Sequence, residues 1–291
     1  MAIFVDEQSR VIIQGITGHV GRAFAERLAQ YHSTFMGGVT PGKGGSEVAG
    51  RPVYNTVTKA VEATGANTSI VTVPATFAPD AMFEAIDAGI KVLSVYTEHV
   101  PVHEALKVIH YAKARGTHLF GPNCAGIVSP GKASASEIHD RILSPGSIGI
   151  VSKSGTLAYE AIDKLDQLGY GQSTVACLGG DKFIGTRYIE ILQAFEEDDQ
   201  TAAIVLLGEI GGSDEIDAIP TIENMTKPVF CYVAGSSAPP GKRMGHAGAI
   251  IQGDSETAEA KTLKLRKAGA VTMTSVLETG ELVNRFLSRT P

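Results

Sequence analysis

The sequence predicts an α/β fold made of two successive parallel-sheet units, and three observations carry that expectation. Short β-branched and aliphatic runs alternate with longer stretches of helical periodicity along most of the chain. Several of those runs end in glycine- or hydroxyl-rich turns that open a helix. The alternation breaks near the middle, where residues 130–146 lack clean periodicity. A length of 291 residues suits about two domains, so 1–125 and 147–291 read as the two units and 126–146 as a crossover.

Composition narrows the class. With 43% hydrophobic and 19% charged residues the chain is globular rather than disordered. The longest apolar runs, such as 202–207, are too short to span a bilayer, and the polar start from Met1 to Arg10 carries no secretory signal. A net charge of -6 with dispersed basic residues argues against nucleic acid as a partner. Cys124, Cys177 and Cys231 lie far apart outside any CxxC pattern, which suits a reducing compartment and disfavours a structural metal.

In the first unit, a strand over 10–14 runs into Gly15-Ile16-Thr17-Gly18-His19-Val20-Gly21 and then a helical pattern over 22–31. Strand, glycine turn and helix make a Rossmann-type opening in which backbone N–H groups face an anion. The spacing is GxxGxxG, not GxGxxG. The next strand, 33–39, ends in Thr40-Pro41-Gly42-Lys43-Gly44-Gly45, where an NAD site would place a ribose-reading acid. A lysine there suits a nucleotide with an extra phosphate, and NADP and coenzyme A both qualify. Strands at 67–73, 91–95 and 117–120 alternate with helices at 78–88 and 102–115. The strand ends bring Pro74-Ala75-Thr76 and Tyr96-Thr97-Glu98 to the ligand edge. His99 and His103 have a metal-compatible spacing but no third ligand, and they read as surface residues.

The second unit opens with a strand at 148–152 and the turn Lys153-Ser154-Gly155-Thr156, which starts a helix running to about 168. Its hydroxyls, backbone donors and positive helix end form a second anion cradle. Strands follow at 174–178, 203–207 and 229–233. The third of these leads into Gly241-Lys242-Arg243-Met244-Gly245-His246-Ala247-Gly248-Ala249. An exposed imidazole among glycines, with an ordinary pKa of about 6.5, is a nucleophile near neutral pH. Because strand ends of one parallel sheet lie together, Ser154, Glu209 and His246 can converge, with Glu209 holding the ring tautomer. A hydrogen-bonded loop histidine and a structural glutamate at a helix start are the alternative readings.

These pieces, in this order, resemble the α subunits of succinyl-CoA synthetases, in the nucleoside-diphosphate-forming acyl-CoA synthetase family. The resemblance covers nearly the whole chain. It rests on Gln14 to Gly18, Gly37 to Gly45, Gly121-Pro122-Asn123-Cys124, Ser154 to Leu157 with Tyr159-Glu160, Gly208-Glu209-Ile210-Gly211-Gly212 and Lys242 to Ala249. It implies a Rossmann-type CoA-binding domain followed by a flavodoxin-like ligase domain. By the same resemblance Thr17, Gly18, His19, Val20, Lys43, Tyr96, Thr97 and Glu98 hold coenzyme A, and Asn123 and Cys124 lie near its thioester end. His246 is phosphorylated in turnover, Ser154, Gly155 and Thr156 cradle the phosphoryl group, Glu209 orients the ring, and Tyr159 borders the acid.

The implied reaction joins a small dicarboxylic acid to coenzyme A with cleavage of a nucleoside triphosphate, through an acyl phosphate and a phosphohistidine. No GxxxxGK[ST] sequence is present. The resemblance places the triphosphate and its magnesium on a β subunit of ATP-grasp fold, in a heterodimer or heterotetramer, and so implies a chain active only with that partner. The expected compartment is the cytoplasm, although a processed organellar protein would look the same.

Three departures from the family pattern stand out. Ala125 replaces a second proline, a form associated with malate–CoA ligases. Ala135-Ser136-Glu137-Ile138-His139-Asp140-Arg141 stands where the family reads Ile-Gly-Ile-x-Pro-Gly-His, and Lys182 follows Asp181 in place of proline. Malate or another short dicarboxylate therefore joins succinate as an expected acid. Two other readings stay open: a CoA-binding protein without turnover, and an NADP-dependent oxidoreductase that gives His246 no role.

Overall fold

The computed structural model describes residues 2–32 and 34–288, so Ser33, assigned above to a strand, lies outside the described residues. Two seven-stranded sheets form the frame. The first contains β1 (Val11–Gln14), β2 (Phe35–Val39), β3 (Glu47–Val48), β4 (Arg51–Tyr54), β5 (Thr68–Val71), β6 (Val92–Val95) and β7 (His118–Phe120), in the order β3-β4-β2-β1-β5-β6-β7. All its pairs are parallel except β3 with β4. Without that small edge strand the order is the 3-2-1-4-5-6 of a doubly wound dinucleotide fold. Helices α1 (His19–Tyr31), α2 (Val57–Thr64), α3 (Ala78–Asp87) and α4 (Val102–Arg115) are its crossovers.

The second sheet contains β8 (Gly126–Ser129), β9 (Ala133–Ser136), β10 (Pro145–Ser152), β11 (Gln172–Cys177), β12 (Ala203–Glu209), β13 (Val229–Ala234) and β14 (Val271–Thr272), ordered β14-β13-β12-β10-β11-β8-β9. Its parallel strands β10 to β14 follow the flavodoxin-like order 2-1-3-4-5. Helices α5 (Gly155–Asp166), α6 (Tyr188–Glu197), α7 (Asp214–Asp217), α8 (Ile219–Asn224), α9 (Ala258–Lys267) and α10 (Thr279–Leu287) accompany it. Helix α5 buries Ala158, Ala161, Ile162 and Leu165, the spacing of one helical face. Strands β10 to β12 are buried on both sides, as a covered parallel sheet requires.

Residues 126–146, expected as a crossover, behave differently. Residues 126–136 form the hairpin β8–β9, which pairs antiparallel with β11 and extends the second sheet, and the remainder passes through a single turn at Asp140–Ile142 into β10. The Ala/Ser text of β9 has too little hydrophobic contrast to read as a strand, yet all four of its residues are buried. Pairing and burial, not composition, make it one.

In an open α/β sheet the ligand crevice opens where the strand order reverses, outside the carboxyl ends of the strands. Here that means the ends of β1 and β5 in the first sheet, and of β10 and β12 in the second. The backbone after β7 brings the two together. Gly121 N–H donates to Leu178 O at 3.0 Å, Asn123 N–H to Thr97 O at 3.0 Å, and Gly180 N–H to Asn123 O at 3.0 Å. Asn123 holds a left-handed φ of 56° to make that turn.

Candidate active site

At the second switch point β12 ends in Glu209 and β10 leads into Lys153 and Ser154. Glu209 therefore lies in a strand, not at a helix start. His246 arrives from the long connection after β13, and its Nδ1 lies 2.6 Å from Glu209 Oε2. The loop is fixed by Gly248 N–H donating to Gly180 O at 3.0 Å and Met244 N–H donating to Ala249 O at 3.0 Å. Gly180 packs against the ring: a Cβ there would lie 2.5 Å from His246 Cδ2 and Cγ. The Glu209 carboxylate holds the imidazole above its ordinary range, while burial and Lys153 pull it down. The ring is thus more fully protonated near pH 7 than the exposed imidazole read from sequence. With Nδ1 bonded to the carboxylate, Nε2 is the nitrogen left for chemistry.

A buried clamp fixes Glu209. Lys261 Nζ donates to Glu209 O at 2.8 Å, to Gly211 O at 2.6 Å and to Glu215 Oε2 at 2.5 Å, while Glu215 Oε1 accepts the Glu209 N–H at 3.1 Å. Both charged side chains are 0% exposed. Among the described residues, buried Glu209 Oε1 has no hydrogen-bond partner, which leaves an acceptor beside the ring. Lys153 Nζ pairs with Asp214 Oδ2 at 2.7 Å. Burial opposes its charge, but Glu215, Asp214 and Glu209 outweigh that and hold it above its ordinary range.

His246 shares a cavity of about 440 Å³ with Ser154, Gly155 and Thr156. Ser154 Oγ caps α5 by accepting the Leu157 N–H at 3.3 Å, and the Ser154 N–H is taken by Ser152 Oγ at 3.0 Å. The first-turn N–H groups of Gly155 and Thr156 have no intrahelical acceptor and suit an anion at the positive helix end. Val20, Tyr96, Thr97, Glu98, Asn123 and Cys124 reach the same cavity from the first unit. Cys124 is a packed thiol rather than a reactive one: burial pushes it up to about 12, and its Sγ lies 2.8 Å from Cys177 O.

A second cavity, of about 700 Å³, opens at the first switch point against Gln14, Gly15, Thr17, Gly18, Thr40 and Pro41. Thr72 and Val73 line both cavities, so the two adjoin. Gly18 caps α1 without a side-chain hydrogen bond, which leaves that helix end open to a phosphate. Three residues expected at the site stand apart. His19 and Lys43 are exposed and line neither cavity. Tyr159 also lines neither: its hydroxyl donates to Glu137 O at 3.2 Å and accepts the His139 N–H at 3.1 Å. Lys242 and Arg243 are likewise exposed and outside both cavities.

Comparison with known proteins follows the same division. Residues 6–99 match a CoA binding domain, and residues 151–271 match a CoA-ligase domain. The chain is 53% identical over 287 residues to the succinate–CoA ligase [ADP-forming] subunit alpha 2 of Archaeoglobus fulgidus, covering 99% of this chain and 100% of that one. The chain belongs to the succinate–CoA ligase α-subunit family. The corresponding subunit of Aquifex aeolicus is 47% identical over 290 residues, with 99% and 95% of the two chains covered. Among solved structures, ATP citrate lyase from Methanothrix soehngenii in complex with citrate and coenzyme A superposes with a TM-score of 0.88 at 25% identity. That match covers 99% of this chain and 51% of the lyase chain, so this chain spans about half of it. Among the described residues no helix is long and apolar enough to cross a membrane.

Sequence reasoning named Glu137, Lys153 and Gly180 only within longer stretches, without a role of their own, and passed over Glu215 and Lys261. Lys153, directly before Ser154 at a strand's carboxyl end, was placed for notice. The burial of Lys261 and Glu215 is a tertiary fact with no local signature.

Proposed function

We propose that this chain is the α subunit of a nucleoside-diphosphate-forming acid–CoA ligase that joins succinate or a related short dicarboxylic acid to coenzyme A. His246 is the phosphoryl carrier. The observation that carries the proposal is the bond between His246 Nδ1 and Glu209, in a cavity that α5 enters by its N-terminus and the CoA-binding unit enters from the other side.

A carboxylate has no good leaving group. Phosphohistidine at Nε2 supplies one: a substrate carboxylate oxygen attacks phosphorus, the N–P bond breaks, and an acyl phosphate forms while Glu209 steadies the imidazole. The coenzyme A thiol, as thiolate, then attacks the acyl carbon, and the C–O bond breaks to release inorganic phosphate. Gly155 and Thr156 N–H groups, with the Ser154 and Thr156 hydroxyls, stabilise the phosphoryl oxygens without adding side-chain charge. Coenzyme A fits the two joined cavities, with its phosphates near Thr17 and Gly18, and its thiol end near Asn123 and Cys124. Renewal of the phosphohistidine is assigned to a β subunit of ATP-grasp fold that holds the triphosphate and magnesium. The cytoplasm is the proposed compartment, supported by three free, buried cysteines.

The test is phosphate labelling. The α–β complex, given γ-labelled ATP or GTP, is expected to carry an acid-labile label on His246 that succinate plus coenzyme A discharges. Absence of label, or label undiminished in His246→Asn, refutes the proposal.

A further inference from the structure

We infer that Glu137 is a specificity-determining residue for the acid: it gives the cavity a hydrogen-bond acceptor matched to a hydroxyl on the substrate, in preference to a plain saturated dicarboxylate. The inference rests on the proposed ligase function and concerns which acid that site selects.

Glu137 belongs to the stretch that departs from the family pattern, and it lines the same cavity as His246, Ser154, Gly155 and Thr156. Its Oε1 lies 3.4 Å from where a Gly155 Cβ would stand, so the carboxyl sits beside the helix end that receives the phosphoryl group. An acid held for attack on that group passes next to Glu137.

The placement is fixed from several sides. Glu137 N–H donates to Ala125 O at 2.8 Å and its carbonyl accepts the Tyr159 hydroxyl. Arg27 on α1 donates to the carbonyls of Ser136 and Ile138 and pairs with Asp140 Oδ2 at 2.6 Å. Tyr96 lines the same cavity from the CoA-binding side. Burial pushes the Glu137 carboxyl above its ordinary range, while Tyr96 and Arg27 act to lower it.

The charge inventory favours a hydroxyl over a second carboxylate at this wall. Among the described residues, the cations lining the cavity are Lys153, held by Asp214 at 2.7 Å, and the His246 ring, held by Glu209 at 2.6 Å. Each already has a carboxylate partner of its own, and Glu137, where ionised, repels a carboxylate set against it. A hydroxyl instead donates to the carboxyl. The other acid on the cavity, Glu98, is 64% exposed and lies 3.6 Å from His99 at the mouth, so it does not compete for this role.

The experiment measures kcat/KM of the α–β complex for malate and for succinate, with ATP and coenzyme A in excess. In the unmodified complex the malate-to-succinate ratio is expected at about 10 to 100, the worth of one hydrogen bond to a carboxyl. Glu137→Ala is expected to bring the ratio to about 1. Glu137→Gln, which keeps a neutral acceptor of the same shape, is expected to give a ratio of about 2 to 10, and it answers the question if the alanine variant fails to assemble. A ratio near 1 in the unmodified complex, or one unchanged by both substitutions, overturns the inference while leaving the ligase function intact. An unmodified complex that is labelled on no histidine and makes no acyl-CoA from any acid overturns both.

Discussion

Replacing Lys261 by methionine removes one charge from the interior and leaves the volume nearly unchanged. In the native chain the ammonium satisfies three acceptors, Glu209 O, Gly211 O and Glu215 Oε2, at 2.8, 2.6 and 2.5 Å, with no exposed surface on either charged side chain. After the change, Glu215 is a buried carboxylate without its counter-ion, and two carbonyls lose their donor. Breaking a buried pair from one side costs about 3–5 kcal/mol, whereas an exposed pair is worth about 0–1 kcal/mol. Against a typical stability of about 5–15 kcal/mol, that is a large fraction. At about 2–4 °C per kcal/mol for a domain of this size, the melting temperature falls by about 6–20 °C. Circular dichroism melts of Lys261→Met and of Lys261→Met with Glu215→Gln form the assay. The double variant has no buried charge and keeps the acceptor for the Glu209 N–H, so it recovers at least half the loss. A single variant within about 2 °C of native, or a double variant no better than the single, refutes the clamp.

Three further outcomes follow from the same geometry. The His246 pKa is raised by Glu209, so labelling falls as pH drops through that raised value and the ring takes a second proton; Glu209→Gln moves this acid limb to lower pH and lowers the plateau, as a pH series of labelling rates will read. The same shift stabilises the fold fully below about pH 6.5, and that contribution fades as pH rises through the folded value. Gly180→Ala puts a methyl group 2.5 Å from the imidazole carbons, and a displacement of about 1 Å predicts roughly 100-fold slower labelling; a rate within about twofold of native refutes the contact. Lys43→Ala removes an exposed charge outside both cavities, so calorimetry is expected to find coenzyme A binding weakened about two- to fivefold at low salt, with the difference screened out near 1 M.

Much of the frame was legible because its signals are local. The alternation of strand and helix gave both parallel sheets, and the turns at Gly15 to Gly18 and Ser154 to Thr156 marked the ends of β1 and β10, where each strand order reverses. The hairpin at 126–136 was not legible, since its burial comes from pairing with β11 rather than from its own residues. The same limit applies to charge. Glu209 was found because the strand-end rule brings it near His246, but Lys261 and Glu215, which hold it, are ordinary helix letters whose 0% exposure is decided elsewhere. Tyr159 illustrates the reverse: it is three residues beyond Thr156 in the motif region, yet its hydroxyl is occupied by the backbone of residues 137 and 139.

The segment after β7 decides whether two competent half-sites make one. The first switch point offers an open helix end and an extended cavity, and the second offers an imidazole held by a carboxylate beside another helix end, but neither alone joins a thiol to an acid. The Gly121 N–H on Leu178 O and the Gly180 N–H on Asn123 O tie the two units through the backbone. Arg27 and His32, on and just after α1, hold Asp140 at 2.6 and 2.5 Å and so bind the CoA-binding unit to the stretch bearing Glu137. The α1 end and the stretch bearing Glu137 therefore share one support. The His246 side chain is held by Glu209 on β12 and its loop by the Gly248 N–H on Gly180 O, so the ring takes its place from the second sheet, whereas the stretch bearing Glu137 is held in part by Arg27 on α1.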